Sequence, residues 1–205
     1  MMMLNPKIVF RGESAFVDNF KLFDVVLNNG ITLRVAIGGD GDKTPVLMVH
    51  GHPHTHVIWR KVAPALAKDR KVILVDLRGY GDSSKPESMP DHRPYSKREM
   101  ACDLQLMLQT LGIEQCDFVG HDRGGRVGHR FALDWPERVR RLVFIDIAPT
   151  ATMYERTDKE FATRYFRWVT KITHAVFCFS HNNASGSYPH TISYCQSLQY
   201  STPDS

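Results

Sequence analysis

The sequence lacks the features that mark membrane-spanning, secreted and nucleic-acid-binding proteins. No apolar run among its 205 residues reaches the roughly 18 residues that a membrane span needs. The net charge is +4, and no stretch concentrates Lys and Arg as a nucleic-acid footprint would. The N-terminal residues contain no apolar core of a secretory signal. We therefore expect a cytoplasmic protein that binds neither a membrane nor nucleic acid.

Cysteine is scarce, and its spacing carries no metal or redox signature. The four cysteines are Cys102, Cys116, Cys178 and Cys195. They form no CxxC pair and no zinc-ligand spacing, so we expect reduced thiols in a cytosolic protein. Four histidines crowd into one short segment: His50, His52, His54 and His56. A metal cluster is one interpretation, but no single helix or strand would bring all four together. We expect no metal ion and no cofactor.

The end of the chain differs in composition from the rest. Residues 171–205 contain only two charged residues, Lys171 and Asp204, whereas the whole chain has 26 basic and 22 acidic residues. No strand or helix period is sustained there, so this tail is not expected to bury a face that offsets its ordering entropy. A disordered extension is one interpretation, and non-native coding is the other.

Before this tail, strands and helices alternate. Residues 21–27 and 32–37 alternate apolar and polar side chains about the turn Asn28-Asn29-Gly30, which predicts an antiparallel hairpin. The pattern then predicts strands over 45–49, 72–77, 116–120 and 142–147 and helices over 57–68, 97–111 and 124–133, with Ser96 as an N-cap. This order indicates an α/β fold with a mostly parallel, doubly wound sheet and helices on both faces.

The strongest local motif is VGHDRGGR, from Val119, which lies between a predicted strand and a predicted helix. It has the G-x-S-x-G layout of a nucleophile elbow, with Asp122 in place of Ser. Gly120 and Gly124 permit a sharp turn, and the start of the following helix stabilises negative charge. The alternative is a phosphate-binding turn, but the motif lacks the spacing and the Lys of a P-loop.

An aspartate nucleophile predicts a different reaction from a serine. A carboxylate is already ionised at neutral pH, and it suits displacement at a saturated carbon, followed by hydrolysis of the ester. The backbone N–H groups of His52 and Arg123 are the candidate oxyanion donors. Asp146 stands at the end of a predicted strand. It is either a turn residue or the carboxylate that orients a catalytic histidine. The turn-forming segment 76–83 is expected to be structural.

Residues 45–168 resemble the fluoroacetate dehalogenase branch of the α/β-hydrolases. The similarity covers the segments HGHPHTHVIW from His50, DLRGYGDSSKP from Asp76, GHDRGGRVGHR from Gly120 and FIDIAPTATMYERTD from Phe144. The Asp-Arg-Gly-Gly-Arg run from Asp122 is the specific part, because general epoxide hydrolases and haloalkane dehalogenases usually have Trp after the nucleophile.

The resemblance implies a short 2-haloacid as the small-molecule substrate. Arg123 and Arg126 would bind its carboxylate, which a guanidinium can hold in bidentate fashion; a solvated helix face is the alternative for these two side chains. Trp168 would donate its N–H to the departing halide, and Arg167 stands where His is common in the branch. The resemblance leaves a homodimer open for the full-length form.

The resemblance stops after Trp168, since the rest of the cap, two core strands and a late catalytic His of the branch are not recognisable. We expect a core over residues 1–150, the start of a helical cap over 151–168 and an anomalous tail over 169–205. We therefore expect that the chain is truncated or frameshifted and that it is deficient in turnover. The alternatives are an epoxide hydrolase, which needs cap tyrosines and for which Tyr154 and Tyr165 are available but unassigned, and a non-catalytic fragment.

Overall fold

A six-stranded sheet forms the centre of the fold. The computed structural model describes residues 5–147 and residue 158, and the first of these ranges lies within one of two units of the chain, Met1–Thr152. The strands are β1 (Lys7–Glu13), β2 (Lys21–Val26), β3 (Thr32–Val49), β4 (Arg70–Val75), β5 (Cys116–His121) and β6 (Val139–Ile145). The α-helices are α1 (Ala63–Leu66), α2 (Lys97–Thr110) and α3 (Arg123–Asp134).

The long strand β3 joins the antiparallel and parallel parts of the sheet. The strand order is β1-β2-β3-β5-β6, and β4 also pairs with β3. The pairs β1–β2 and β2–β3 are antiparallel, which confirms the predicted hairpin, whereas β4, β5 and β6 run parallel to their neighbours. The C-terminal ends of the parallel strands therefore meet at one edge of the sheet, where ligand sites of α/β folds lie.

The two strands predicted over 32–37 and 45–49 are parts of the single strand β3. Gly39 lies in the middle of this strand and has a φ of +74°, a conformation that favours glycine. A Cβ on this residue would lie 2.2 Å from the carbonyl oxygen of Arg70. The predicted helix over 57–68 is wrong as one element, because the chain forms a 3₁₀ turn, His56–Trp59, and the four-residue helix α1. The strand β1 was not predicted.

Helices cover both faces of the sheet, and the predicted α/β fold is confirmed. On one face, α2 and α3 pack against the sheet around the buried side chains of Leu104, Leu108, Phe118 and Phe131. On the other face, Trp59 and Ala63 pack against Met48 and Leu74. Ser96 caps α2 as predicted, since its side chain accepts the N–H of Glu99. No helix in residues 5–147 is long and apolar enough to cross a membrane.

Candidate active site

Asp122 lies on a sharp turn between β5 and α3. Its backbone has φ 45° and ψ −112°, a region that non-glycine residues rarely adopt, so the turn holds local strain. The turn is fixed from both ends: the N–H of Asp122 donates to the carbonyl of Ile145 at 3.0 Å, and the N–H of Arg126 donates to the carbonyl of Asp122 at 3.2 Å. A Cβ on Gly124 would lie 2.2 Å from the carbonyl oxygen of Val49, so the turn packs directly on the end of β3.

The loop after β3 meets the Asp122 carboxylate. The backbone N–H of His52 donates to Oδ2 of Asp122 at 3.0 Å. Within residues 5–147 this is the one hydrogen bond to that carboxylate, which leaves Oδ1 available. The predicted donor His52 therefore lies at the predicted nucleophile, in hydrogen-bond contact with it. An oxyanion role for His52 and for Arg123 stays a prediction.

Tyr80 links this loop to the first residue of α3. Its hydroxyl lies 3.1 Å from Nδ1 of His52, and Cζ of Arg123 lies 5.8 Å from the centre of its ring. The sequence indicated only a structural role for the segment 76–83, and Tyr80 was not singled out. Nothing in the local pattern of this turn distinguishes a tyrosine that packs inward from one that faces solvent.

The four clustered histidines face different partners and do not converge. His50 is buried between the carbonyl of Gly51 and the N–H of Leu77, and His52 contacts Tyr80. Nδ1 of His56 lies 2.9 Å from Oδ1 of the buried Asp76. His54 packs against His121, with ring centres 5.7 Å apart. Among the described residues, no group of three potential ligands has the geometry to hold a metal ion.

His54 and His121 flank the nucleophile. Burial lowers the pKa of His54, the neighbouring His121 lowers it further, and the charge of Asp122 opposes both effects. Nδ1 of each ring is buried and has no hydrogen-bond partner among the described residues. The lowered pKa of His54 disfavours a competing positive charge on that ring beside the Asp122 carboxylate, and the arginines on the first turn of α3 are the charged groups next to it.

Three basic side chains lie on or near the first turn of α3. Arg123 and Arg126 lie on its first turn, and Lys97 begins α2 nearby. Burial lowers the pKa of Lys97, and the charges of Arg123 and Arg126 lower it further, against the opposite effect of Asp122. Lys97 has no ion pair among the described residues. Sequence reasoning missed it, although a lysine at the first position of a helix opposes the helix dipole and is a detectable anomaly.

The remaining predicted site residues are placed less completely. Asp146 directly follows β6, with φ 54° and an exposed side chain. Because His121 pairs with Ile145 across β5 and β6, Asp122 and Asp146 follow neighbouring strand ends. Arg167, Trp168, Tyr154 and Tyr165 lie outside the described residues.

Comparisons with known proteins agree with the fold. The family model for the alpha/beta hydrolase fold matches residues 44–205. The fluoroacetate dehalogenase of Burkholderia sp is 47% identical over 138 residues, which are 67% of this chain and 45% of that protein. The soluble epoxide hydrolase of Corynebacterium sp. (strain C12) is 39% identical over 121 residues, which are 59% of this chain and 40% of that protein.

A solved structure has the same fold at higher identity. The Salmonella enterica protein, provisionally assigned as an acyltransferase, is 56% identical, with a TM-score of 0.77, and the match covers 84% of this chain and 61% of that one. The chain therefore spans less than half the length of the two curated relatives and less than two thirds of this solved structure.

Proposed function

The chain belongs to the α/β-hydrolase fold family, and from this premise we propose that it displaces halide from a short 2-haloacid through an ester on Asp122. The observation that supports the proposal best is a carboxylate at the elbow whose Oδ2 is held by the N–H of His52 at 3.0 Å. This hydrogen bond fixes the carboxylate and leaves Oδ1 to attack. The 47% identity to a fluoroacetate dehalogenase supports the same substrate class.

The reaction would proceed in two steps. In the first, Oδ1 of Asp122 attacks the α-carbon, the carbon–halogen bond breaks, and the halide leaves with the bonding electrons. In the second, water attacks Cγ of the ester while a general base takes its proton, and negative charge develops on Oδ2. The N–H of His52 already points at that oxygen, as an oxyanion donor must. The Cγ–Oδ1 bond then breaks, the leaving alkoxide oxygen takes the proton back from the base to give the 2-hydroxyacid, and the carboxyl group of Asp122 loses its proton to restore the carboxylate.

Arg123 and Arg126 would hold the carboxylate of the substrate. Both follow Asp122 on the first turn of α3, so they present positive charge beside the attacking oxygen. Lys97 adds a third cation to this region. Binding of the carboxylate there would align the α-carbon with Oδ1, because proximity and orientation dominate the rate of a displacement. Trp168 and Arg167 are proposed to contact the halide.

The first step can be tested without regard to the second. We expect that incubation of the chain with chloroacetate produces a carboxymethyl adduct on the peptide that contains Asp122, detected by mass spectrometry after an acid quench. If the ester turns over, one turnover in H₂¹⁸O places ¹⁸O in the Asp122 carboxylate, because water attacks Cγ. The matched control is Asp122→Asn, which retains the size of the side chain and removes the nucleophile.

An epoxide hydrolase is the second candidate, since the same nucleophile opens epoxides and the Corynebacterium relative is 39% identical. Styrene oxide in the same assay would then give a hydroxyalkyl adduct on Asp122, while chloroacetate would give none. The cations around Asp122 favour an anionic substrate over a neutral epoxide. If neither chloroacetate nor styrene oxide forms an adduct in a folded sample, the result would support a chain that binds carboxylates without catalysis.

A further inference from the structure

We propose that Tyr80 is a positioning residue for both sides of the site, fixing His52 through its hydroxyl and Arg123 through its ring. The inference rests on the proposed function for the roles of those two partners. Tyr80 itself is held by its turn: its N–H donates to the carbonyl of Leu77 at 3.0 Å, and its carbonyl accepts the N–H of Ser83 at 3.0 Å. The phenol is therefore carried by a fixed backbone.

The hydroxyl contact reaches the nucleophile through one residue. Burial lowers the pKa of His52, and the charge of Arg123 lowers it further, so the imidazole is neutral at pH 7. Burial raises the pKa of Tyr80, so the phenol keeps its proton. The hydroxyl lies 3.1 Å from Nδ1 of His52, and donation of the phenol proton to this nitrogen would place the imidazole proton on Nε2. The backbone N–H of the same His52 holds Oδ2 of Asp122.

The ring contact acts on the other side of the nucleophile. Cζ of Arg123 lies 5.8 Å from the ring centre of Tyr80, within the range of a cation–π interaction. The edge-on ring of His50, 5.0 Å away, packs against the same tyrosine from the buried side. A guanidinium on a long side chain loses less entropy on binding a carboxylate when a ring already restrains it.

The two contacts can be separated by two substitutions. Tyr80→Phe removes the hydroxyl and keeps the ring, whereas Tyr80→Leu removes both. The expected readouts are the rate of Asp122 alkylation by saturating chloroacetate and the Kd of acetate, an unreactive carboxylate, followed by NMR. Tyr80→Phe should slow alkylation about three- to tenfold, the worth of one hydrogen bond, with the acetate Kd changed by less than about twofold. Tyr80→Leu should also raise that Kd about two- to fivefold.

Tyr95→Phe is the matched control. The hydroxyl of Tyr95 donates to the carbonyl of Pro86 at 2.6 Å, and its ring lies against Gly79, next to Tyr80. The same atom is therefore lost from a hydrogen bond in the same loop, and we expect both readouts to stay at parental values. An equal effect of Tyr95→Phe and Tyr80→Phe would assign the loss to the loop as a whole and overturn the proposal.

A third measurement is independent of any reaction. In the unsubstituted chain, the ¹⁵N shifts of His52 should show a protonated Nε2 and an accepting Nδ1, and Tyr80→Phe should mix the two tautomers. A protonated Nδ1 in the parent, or a tautomer unchanged by Tyr80→Phe, would overturn the hydroxyl contact even if no adduct forms. Should Tyr80→Leu fail to fold, Tyr80→Met replaces it; equal acetate Kd values for the Met and Phe variants would overturn the ring contact.

Discussion

Gly51 lies so close to Asp122 that a Cβ on Gly51 would come within 2.6 Å of the Asp122 Cβ and within 2.8 Å of its Oδ2. The loop after β3 and the turn after β5 are therefore packed backbone against side chain. Since Gly51 immediately precedes the donor His52, the same close contact determines how near the His52 N–H lies to Oδ2 of Asp122. The two loops must be considered as one unit of the site.

Gly51→Ala is expected to displace the nucleophile. The added Cβ has no space unless Asp122 or its loop shifts, and a displacement of about 1 Å can cost roughly a hundredfold in rate. We predict a loss of that order in the rate of Asp122 alkylation. Gly30→Ala is the control: its φ is +85° with nothing within 4 Å of the added Cβ. It should cost about 1–2 kcal/mol of stability through the backbone alone and leave the rate near parental.

The arginine pair is expected to set substrate binding. Arg123→Ala or Arg126→Ala should each lower kcat/KM, or the second-order rate of alkylation, about ten- to a hundredfold for chloroacetate, because a charge-assisted hydrogen bond to the carboxylate is lost. Arg130→Ala is the control on the same helix, where the side chain pairs with Asp134 through a 2.7 Å hydrogen bond. Near-parental values in both test variants would show that the carboxylate binds elsewhere.

The elbow was predictable because its determinants are local. A strand, two glycines around Asp122 and a helix start follow one another within a few residues, and the structure places them as expected. The antiparallel hairpin was predictable for the same reason, since its turn and its alternation are contiguous. The edge strand β1 was missed because its side chains are mostly exposed and show no buried face.

The contacts of Tyr80 and Lys97 could not be predicted locally. Tyr80 meets His52 and Arg123 only because β3, β4 and β5 end side by side in the folded sheet. Lys97 approaches the arginines only through the packing of α2 beside α3. Neither residue belongs to a motif whose spacing carries chemistry, so the pattern that predicted Asp122 contains no signal for them.

His50 is expected to make stability depend on pH. Burial, opposed mainly by Asp76, lowers its pKa from 6.5 to about 4. The unfolded chain therefore binds more protons than the folded chain between these values. Protonation of His50 therefore does not reduce the free energy of unfolding above about pH 6.5, but it lowers this free energy progressively as the pH falls towards 4. A difference of this size corresponds to about 3 kcal/mol.

Urea denaturation from pH 7 to pH 4 measures this contribution. His50→Asn is the matched variant, because its amide does not titrate and can still donate to the carbonyl of Gly51, as Nδ1 of His50 does. It should remove about 3 kcal/mol of the pH dependence of the free energy of unfolding, while other groups keep theirs. Parallel pH profiles for the two proteins would show that His50 does not titrate with folding.

Asp146 is expected to act only in the second step of the reaction. It follows the strand end beside that of Asp122, and its exposed carboxylate has no partner among the described residues. Attack by Asp122 needs an ionised carboxylate and a positioned substrate, so Asp146→Asn should leave the rate of adduct formation within about twofold. Hydrolysis needs an oriented general base, and loss of the orienting carboxylate slows such steps by as much as about 10⁴-fold.

The lifetime of the Asp122 adduct separates these effects. Adduct is formed with excess chloroacetate, the reagent is removed, and loss of the carboxymethyl mass is followed over time. Where the parental adduct decays, we expect a longer lifetime in Asp146→Asn and a parental lifetime in Asp91→Asn, whose exposed carboxylate accepts the N–H of Arg93. Equal finite lifetimes in all three proteins would remove Asp146 from the mechanism. A parental adduct that never decays would mean that no residue of this chain serves as the base, because the ester would then have formed on Asp122 without a group to activate water.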